Sequence, residues 1–292
     1  MLRLIRDNMQ PQNEQESKTP ACKEHAMRIS KDGQMALMGN ADNPQKNKKE
    51  GVTMKKIGLV GGTGPESTAM YYKALNTEID RLTNGRSMPD IAIESVNFRR
   101  AWDYVVKKQY DLLADYLAEK ANALIAGGAE VVSLTAVTMH VVSEELKEKV
   151  TAPLVSIPKA VCDEAVSLGL RKVGLLGTAF TMEQEYMKQD LKAAGIQVFV
   201  PNEQERELVA RRIFEELENG IVKEETLREF QTIMDRMKEQ DGIEGVILGC
   251  TELPLLLNSE NCPVHCLDAV QIHIRKLIGL AMSEPSVYGE SK

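Results

Sequence analysis

Two stretches of this chain repeat each other in the same order, and that limits the folds open to it. Lys55-Lys56-Ile57-Gly58-Leu59-Val60-Gly61-Gly62 returns as Arg171-Lys172-Val173-Gly174-Leu175-Leu176-Gly177-Thr178, an offset of 116 residues. Glu130-Val131-Val132-Ser133-Leu134-Thr135-Ala136-Val137-Thr138 lines up with Glu244 through Glu252, an offset of 114. Each copy is a short apolar run closed by a turn, which suits a strand buried on both faces of a parallel sheet. The repetition predicts two similar α/β halves related by pseudo-symmetry. In that alignment Ala136 is the mirror of Cys250.

The segments between the runs have helical periodicity. Leu112, Leu113, Tyr116, Leu117, Ala121 and Leu124 share one face of a helix expected over 110–125. Further helices are expected at 66–82, 139–149, 182–194, 205–217, 224–239 and 268–282, with another running through Val166. Strands are expected at 57–60, 91–96, 131–134, 153–157, 173–176 and 198–200, in the run before Cys250, and near Val264. Strands alternating with helices imply parallel sheets. The expected fold is α/β, with two Rossmann-like domains and a site in the cleft between them. Domain one spans 54–154 and is completed by a C-terminal helix at 265–284; domain two spans 155–264. Ligands in such sheets bind beyond the carboxyl ends of the strands. Gly61–Gly64, Ala136–His140, Gly177–Thr181 and Gly249–Glu252 all fall there.

Residues 1–53 differ from the rest. They are polar, lack apolar periodicity, and read as disordered. Lys49-Glu50-Gly51-Val52-Thr53-Met54 resembles a translated ribosome-binding site, so Met54 is expected to be the natural start. A net charge of −7 argues against a nucleic-acid surface, which needs a basic stripe. No apolar run reaches the roughly 18 residues of a membrane span. Five scattered cysteines do not form a disulfide framework and fit a reducing cytoplasm.

The stretch Glu244–Pro254 reads as a buried strand, a Gly turn and the first turn of a helix. A thiol there is expected to gain N–H donors and a favourable dipole, so Cys250 is expected to have a lowered pKa and to react as thiolate. The rival reading is a buried core cysteine. Cys262, His265 and Cys266 lie close together, but Pro263-Val264 between them reads as strand. They are expected to be core thiols and one surface His, not a metal site.

Gly61-Gly62-Thr63-Gly64-Pro65-Glu66-Ser67-Thr68, Thr138-Met139-His140, Leu176 through Gln184, and Leu248-Gly249-Cys250-Thr251-Glu252-Leu253 together resemble the aspartate/glutamate racemase family, closest to its broad-specificity amino-acid racemases. The likeness runs from about Met54 to about residue 282. It implies inversion at the α-carbon of an aspartate- or glutamate-type amino acid without PLP or any other cofactor, in a homodimer. It implies Cys250 as acid/base, with Gly62, Thr63, Asn97, Thr138, Thr178, Lys188, Thr251 and Glu252 around the substrate and His140 in support. No metal, nucleic-acid or membrane partner is implied.

The sequence departs from that pattern at one place. The family's first-half motif has Cys or Thr, then Asn, then Thr; this chain has Ala136-Val137-Thr138. Ala136 can neither give nor take a proton. Thr135 has a hydroxyl, but neighbouring side chains leave a strand on opposite sides. Two readings therefore stand beside racemisation. One is a one-thiol decarboxylase or isomerase of small dicarboxylates. The other is a catalytically inactive amino-acid-binding relative.

Overall fold

Buried runs of β-branched and aliphatic residues build two parallel sheets in a computed structural model that describes residues 53–283. Apart from Thr53, the stretch expected to be disordered lies outside the described residues. The first sheet holds β1 (Ile57–Gly61), β2 (Ile91–Ser95), β3 (Val131–Leu134) and β4 (Leu154–Val155) in the order β2-β1-β3-β4. The second holds β5 (Lys172–Leu176), β6 (Gln197–Phe199), β7 (Gly245–Leu248) and β8 (His265–Asp268) in the order β6-β5-β7-β8. All pairs are parallel, and the two orders are the same. The repeat read from the sequence is therefore a repeat of topology. β1 and β5 are the second strands of their sheets, and β3 and β7 are their inner neighbours.

Helices cover both faces. In the first half these are α1 (Pro65–Leu82), α2 (Phe98–Val106), α3 (Tyr110–Ala126) and α4 (Ser143–Lys149). The connecting helix is α5 (Ile157–Ser167), followed in the second half by α6 (Ala179–Glu183), α7 (Gln189–Ala193), α8 (Glu203–Glu215) and α9 (Glu224–Gln240). The last helix is α10 (Ala269–Met282), capped by the Asp268 carboxylate on the N–H groups of Val270 and Gln271. α10 packs Val270, Ile274, Leu277 and Ile278 against Ile57, Leu59, Tyr71 and Leu75 of the first half. The chain thus finishes the second sheet with β8 and at once crosses to cover the first. Among the described residues no helix is long and apolar enough to cross a membrane.

Four expectations about elements need correction. Residues 265–268 of the supposed C-terminal helix form β8, which pairs with β7 through His265–Asp268; the strand starts there and not at Val264. α2 was not anticipated, although Asn97 caps it by accepting from the Arg100 N–H at 3.2 Å. The helix expected over 139–149 begins as a 3₁₀ turn, Val137–Val142, before α4. The helix expected over 182–194 is broken. Gln184 is extended, and Tyr186, Met187 and Lys188 turn inward between α6 and α7. Consecutive inward residues cannot share one helical face, so burying them breaks the helix.

One buried charge cluster holds the second half together. Glu216, 3% exposed, accepts from Arg212 (2.6 Å), Lys223 (2.9 Å) and the Thr226 hydroxyl. Burial alone would raise its pKa, but the hydrogen bonds from Thr226, Lys223 and Arg212 outweigh that and hold it near 2. A carboxylate lowered this way stabilises the fold above its ordinary pKa, and the contribution is lost as pH falls toward 2. Glu216→Ala leaves Thr226 unpaired and Arg212 with Glu229 alone. It should cost about 3 kcal/mol in urea unfolding at pH 7. A loss below about 0.5 kcal/mol would mean the cluster is solvated in practice.

Candidate active site

The carboxyl ends of β1, β3, β5 and β7 supply the candidate residues. At the end of β7, Gly249 must be glycine, since a Cβ there would sit 2.9 Å from the Leu176 carbonyl oxygen. The turn it permits delivers Cys250, 7% exposed, followed by half-buried Thr251 and Glu252. The Cys250 thiol donates to Glu252 Oε2 at 2.8 Å, and the Thr251 hydroxyl donates to Glu252 Oε1 at 2.6 Å. Ser67, from the first half, donates to Thr251 Oγ1 at 3.1 Å. A continuous chain therefore runs Ser67, Thr251, Glu252, Cys250 and joins the two halves.

The expectation of a lowered Cys250 pKa is overturned. Burial raises it well above the ordinary thiol value, and Glu252 adds to that as a charge and as a hydrogen-bond acceptor. The N–H of Glu252 lowers it and Glu218 raises it further, both to a lesser degree. The dipole argument fails because no long helix starts here. The turn after Cys250 is a three-residue 3₁₀ segment, Leu253–Leu255. At rest the group is a thiol held by a carboxylate.

At the end of β1, the Gly62 N–H donates to Thr68 Oγ1 at 3.0 Å, with Gly62 at φ 87°. A Cβ at Gly62 would lie 2.7 Å from the Val96 carbonyl oxygen, so the loop is tied closely to the end of β2. Thr63 is half-buried in the same loop. Thr68 and Thr135 share a hydroxyl contact of 3.1 Å. That directs Thr135 away from the side on which Ala136 is half-exposed, as strand alternation requires. Val137 turns into a core with Ile157, Ala160 and Val161. Asn97 spends its side-chain oxygen on capping α2.

His140 does not reach the cleft. It is fully buried, and its Nδ1 bonds the Ala136 carbonyl at 3.0 Å while Nε2 has no partner. Its ring lies edge-on to His273 at 5.8 Å. His273 is itself clasped by the Tyr71 hydroxyl (2.6 Å), Ser133 (2.9 Å) and the Val155 carbonyl (3.0 Å). This pair braces the Ala136–His140 turn from behind.

In the second half, Thr178 caps α6 and contacts Thr181 Oγ1 at 3.1 Å. Lys188 is 8% exposed; its ammonium reaches the Glu183 carbonyl at 3.3 Å and Glu185 at 3.7 Å. Burial lowers its pKa, the sign of a cation with few partners. Cys262 and Cys266 are half-buried, the Cys262 thiol reaching Asn261 Oδ1 at 4.0 Å, and His265 is exposed. Sequence reasoning missed Ser67, which lies inside the Gly61–Thr68 motif and bonds Thr251 across the two halves.

A family model described as Asp/Glu/Hydantoin racemase matches residues 60–277. The chain belongs to this racemase family. An aspartate racemase homologue from Pyrococcus horikoshii OT3 is 40% identical, with TM-score 0.72, over 79% of this chain and 100% of that one. A Yersinia pestis protein proposed to be an Asp/Glu racemase is 33% identical, with TM-score 0.75 and the same two coverages. The aspartate racemase of Picrophilus torridus is 17% identical over 77% of this chain and 93% of its own, with TM-score 0.60, and shares the fold. The two four-stranded parallel sheets described above are those of an Asp/Glu racemase fold.

Proposed function

We propose that the chain is a cofactor-independent racemase of an aspartate- or glutamate-type amino acid, with Cys250 as an acid/base at the α-carbon. The observation that carries this is the thiol–carboxylate pair of Cys250 and Glu252, joined through Thr251 to Ser67 of the opposite half. A raised thiol pKa suits the role. When Glu252 accepts its proton, the buried thiolate is a stronger base than a solvated one. Proton transfer by a positioned group contributes roughly 10²–10⁴-fold.

The arrangement also links binding to activation. An incoming α-carboxylate can accept from the Thr251 and Ser67 hydroxyls. Glu252 then loses the Thr251 donor and keeps the Cys250 thiol as its side-chain donor. In this reading Lys188 holds a second carboxylate, which would select acidic substrates; a buried ammonium gains from a full counter-charge.

Ala136 favours one alternative specifically. With Ala136 at the position the repeat pairs with Cys250, chemistry from a single face, such as decarboxylation or isomerisation of a small dicarboxylate, needs no partner. Both readings require an acidic ligand. Aspartate, glutamate or a small dicarboxylate should raise the melting temperature, by about 2.7 kcal/mol of stability at one hundred times the dissociation constant. No shift with any of them would remove the proposed substrate class.

A further inference from the structure

The first turn of α5 opens onto a second cavity. None of the residues named for the active site lines it. It measures about 120 Å³, room for several waters or one small anion. Leu154 and Leu280 give it an apolar wall, and three lysines from three helices reach it: Lys147 of α4, Lys159 of α5 and Lys276 of α10. α5 is eleven residues long, so its N-terminus carries the partial positive charge of a full helix.

Ser156 makes this more than a helix end among lysines. It is the N-cap residue of α5, is 3% exposed and lines the cavity. A serine there ordinarily accepts from the N–H of the second or third helical residue. The second is Pro158, which has none, and Lys159 makes no such bond. No other described residue bonds the Ser156 hydroxyl. A buried hydroxyl without a partner costs free energy that a ligand in the cavity would return. The lysines are also short of counter-charge. Lys147 pairs with Glu144 at 2.6 Å, while Lys159 and Lys276 share the Asp163 carboxylate at 2.5 and 3.0 Å. Three ammoniums thus face two carboxylates.

We infer that this cavity binds a phosphate group, free or as the monoester of a small molecule, on the Ser156 hydroxyl, the first-turn N–H groups of α5 and the ammoniums of Lys147, Lys159 and Lys276. Helix N-termini favour phosphate through their N–H groups and dipole together. A phosphate monoester carries about −1.5 to −2 charges at pH 7 and three strong acceptor oxygens. That suits donors arriving from three helices better than a planar carboxylate with one charge. Leu154 and Leu280 leave an apolar wall for the carbon part of an ester. Bound there, the phosphate ties α4 of the first half to the connecting helix α5 and to the last helix α10. The inference is independent of the proposed racemisation, since it shares no residue with that site.

Calorimetric titration of inorganic phosphate into the unmodified chain, at ionic strength fixed with sodium chloride, tests this. One phosphate should bind per chain and raise the melting temperature. Ser156→Ala and Lys276→Gln should each weaken binding about tenfold, the effect of one lost hydrogen bond to a charged group. Lys276 is exposed, so its variant keeps the fold even if Ser156→Ala does not. Thr251→Val, in the active site, should leave the affinity within about twofold. Glycerol 3-phosphate, titrated the same way, separates the two sources. Tighter binding than phosphate, lost in the same two variants, assigns the cavity to monoesters; equal or weaker binding assigns it to the free ion. Affinity lost in Thr251→Val and kept in Lys276→Gln would put the ion in the active site and overturn the inference. So would neither heat nor a melting shift with either probe, or an affinity unchanged in both cavity variants.

Discussion

Cys250→Ala should abolish both α-proton exchange and inversion, lowering each by at least about 10²–10⁴-fold. The side chain is small and sits in a core with Leu248, Leu253 and Leu256, so the fold should lose only about 1 kcal/mol. Activity and stability are therefore separable at this residue, which chiral chromatography and thermal melts will show. The raised pKa adds a second signature. Alkylation of Cys250 should be slow at pH 7 and rise only in the alkaline range, since burial and Glu252 favour the thiol. Glu252→Gln removes the largest charge on the sulfur and the proton acceptor together. Alkylation should then start at lower pH while catalysis falls. If catalysis survives that change, Glu252 is not the proton acceptor.

The second large effect is on stability in acid. His140 and His273 are fully buried, and burial lowers their pKa to about 4 and about 3. Their mutual repulsion lowers His273 further. In the unfolded chain each takes up a proton near pH 6.5, so stability is full above that value and falls as pH drops toward 4 and 3. Each group should contribute up to about 1.4 kcal/mol per pH unit across this window, or about 3 kcal/mol for the pair between pH 6.5 and 5. That is a large share of the 5–15 kcal/mol typical of a whole domain. Asp268 and Glu218, whose carboxyls burial holds above their usual range, act with the opposite sign and soften the slope at its acid end. His140→Leu removes one of the two protons and the unpartnered Nε2. It should flatten the dependence of melting temperature on pH by about half. An unchanged slope would mean these imidazoles are hydrated in solution.

Much of this architecture is legible in the sequence because it follows from strand burial. The runs around Leu59, Val132, Leu175 and Ile247 are apolar on both faces, and only a parallel sheet with covered faces accommodates that. The repeat then fixes a second sheet of the same order. What escapes is whatever tertiary contacts decide against local pattern. Tyr186, Met187 and Lys188 look helical in sequence, yet burying three neighbours breaks the helix and turns the phenol toward Thr181. The Cys250 pKa escapes for a similar reason. The motif shows a strand end, but not that the following turn is 3₁₀ or that Glu252 folds back onto the sulfur. Val137 reads as a missing polar residue of the site, whereas its side chain is core. An Asn there would bury an amide, so a rescue at this loop is better tried at Ala136 alone.

The central claim is that this site removes a proton from an amino-acid α-carbon. The direct measurement is proton NMR of L- and D-aspartate and L- and D-glutamate incubated with the unmodified chain in deuterated water. The α-proton signal of at least one enantiomer should disappear, with the other enantiomer accumulating, and Cys250→Ala should leave every signal intact. Persistence of all four α-proton signals with a folded, unmodified chain would contradict the account.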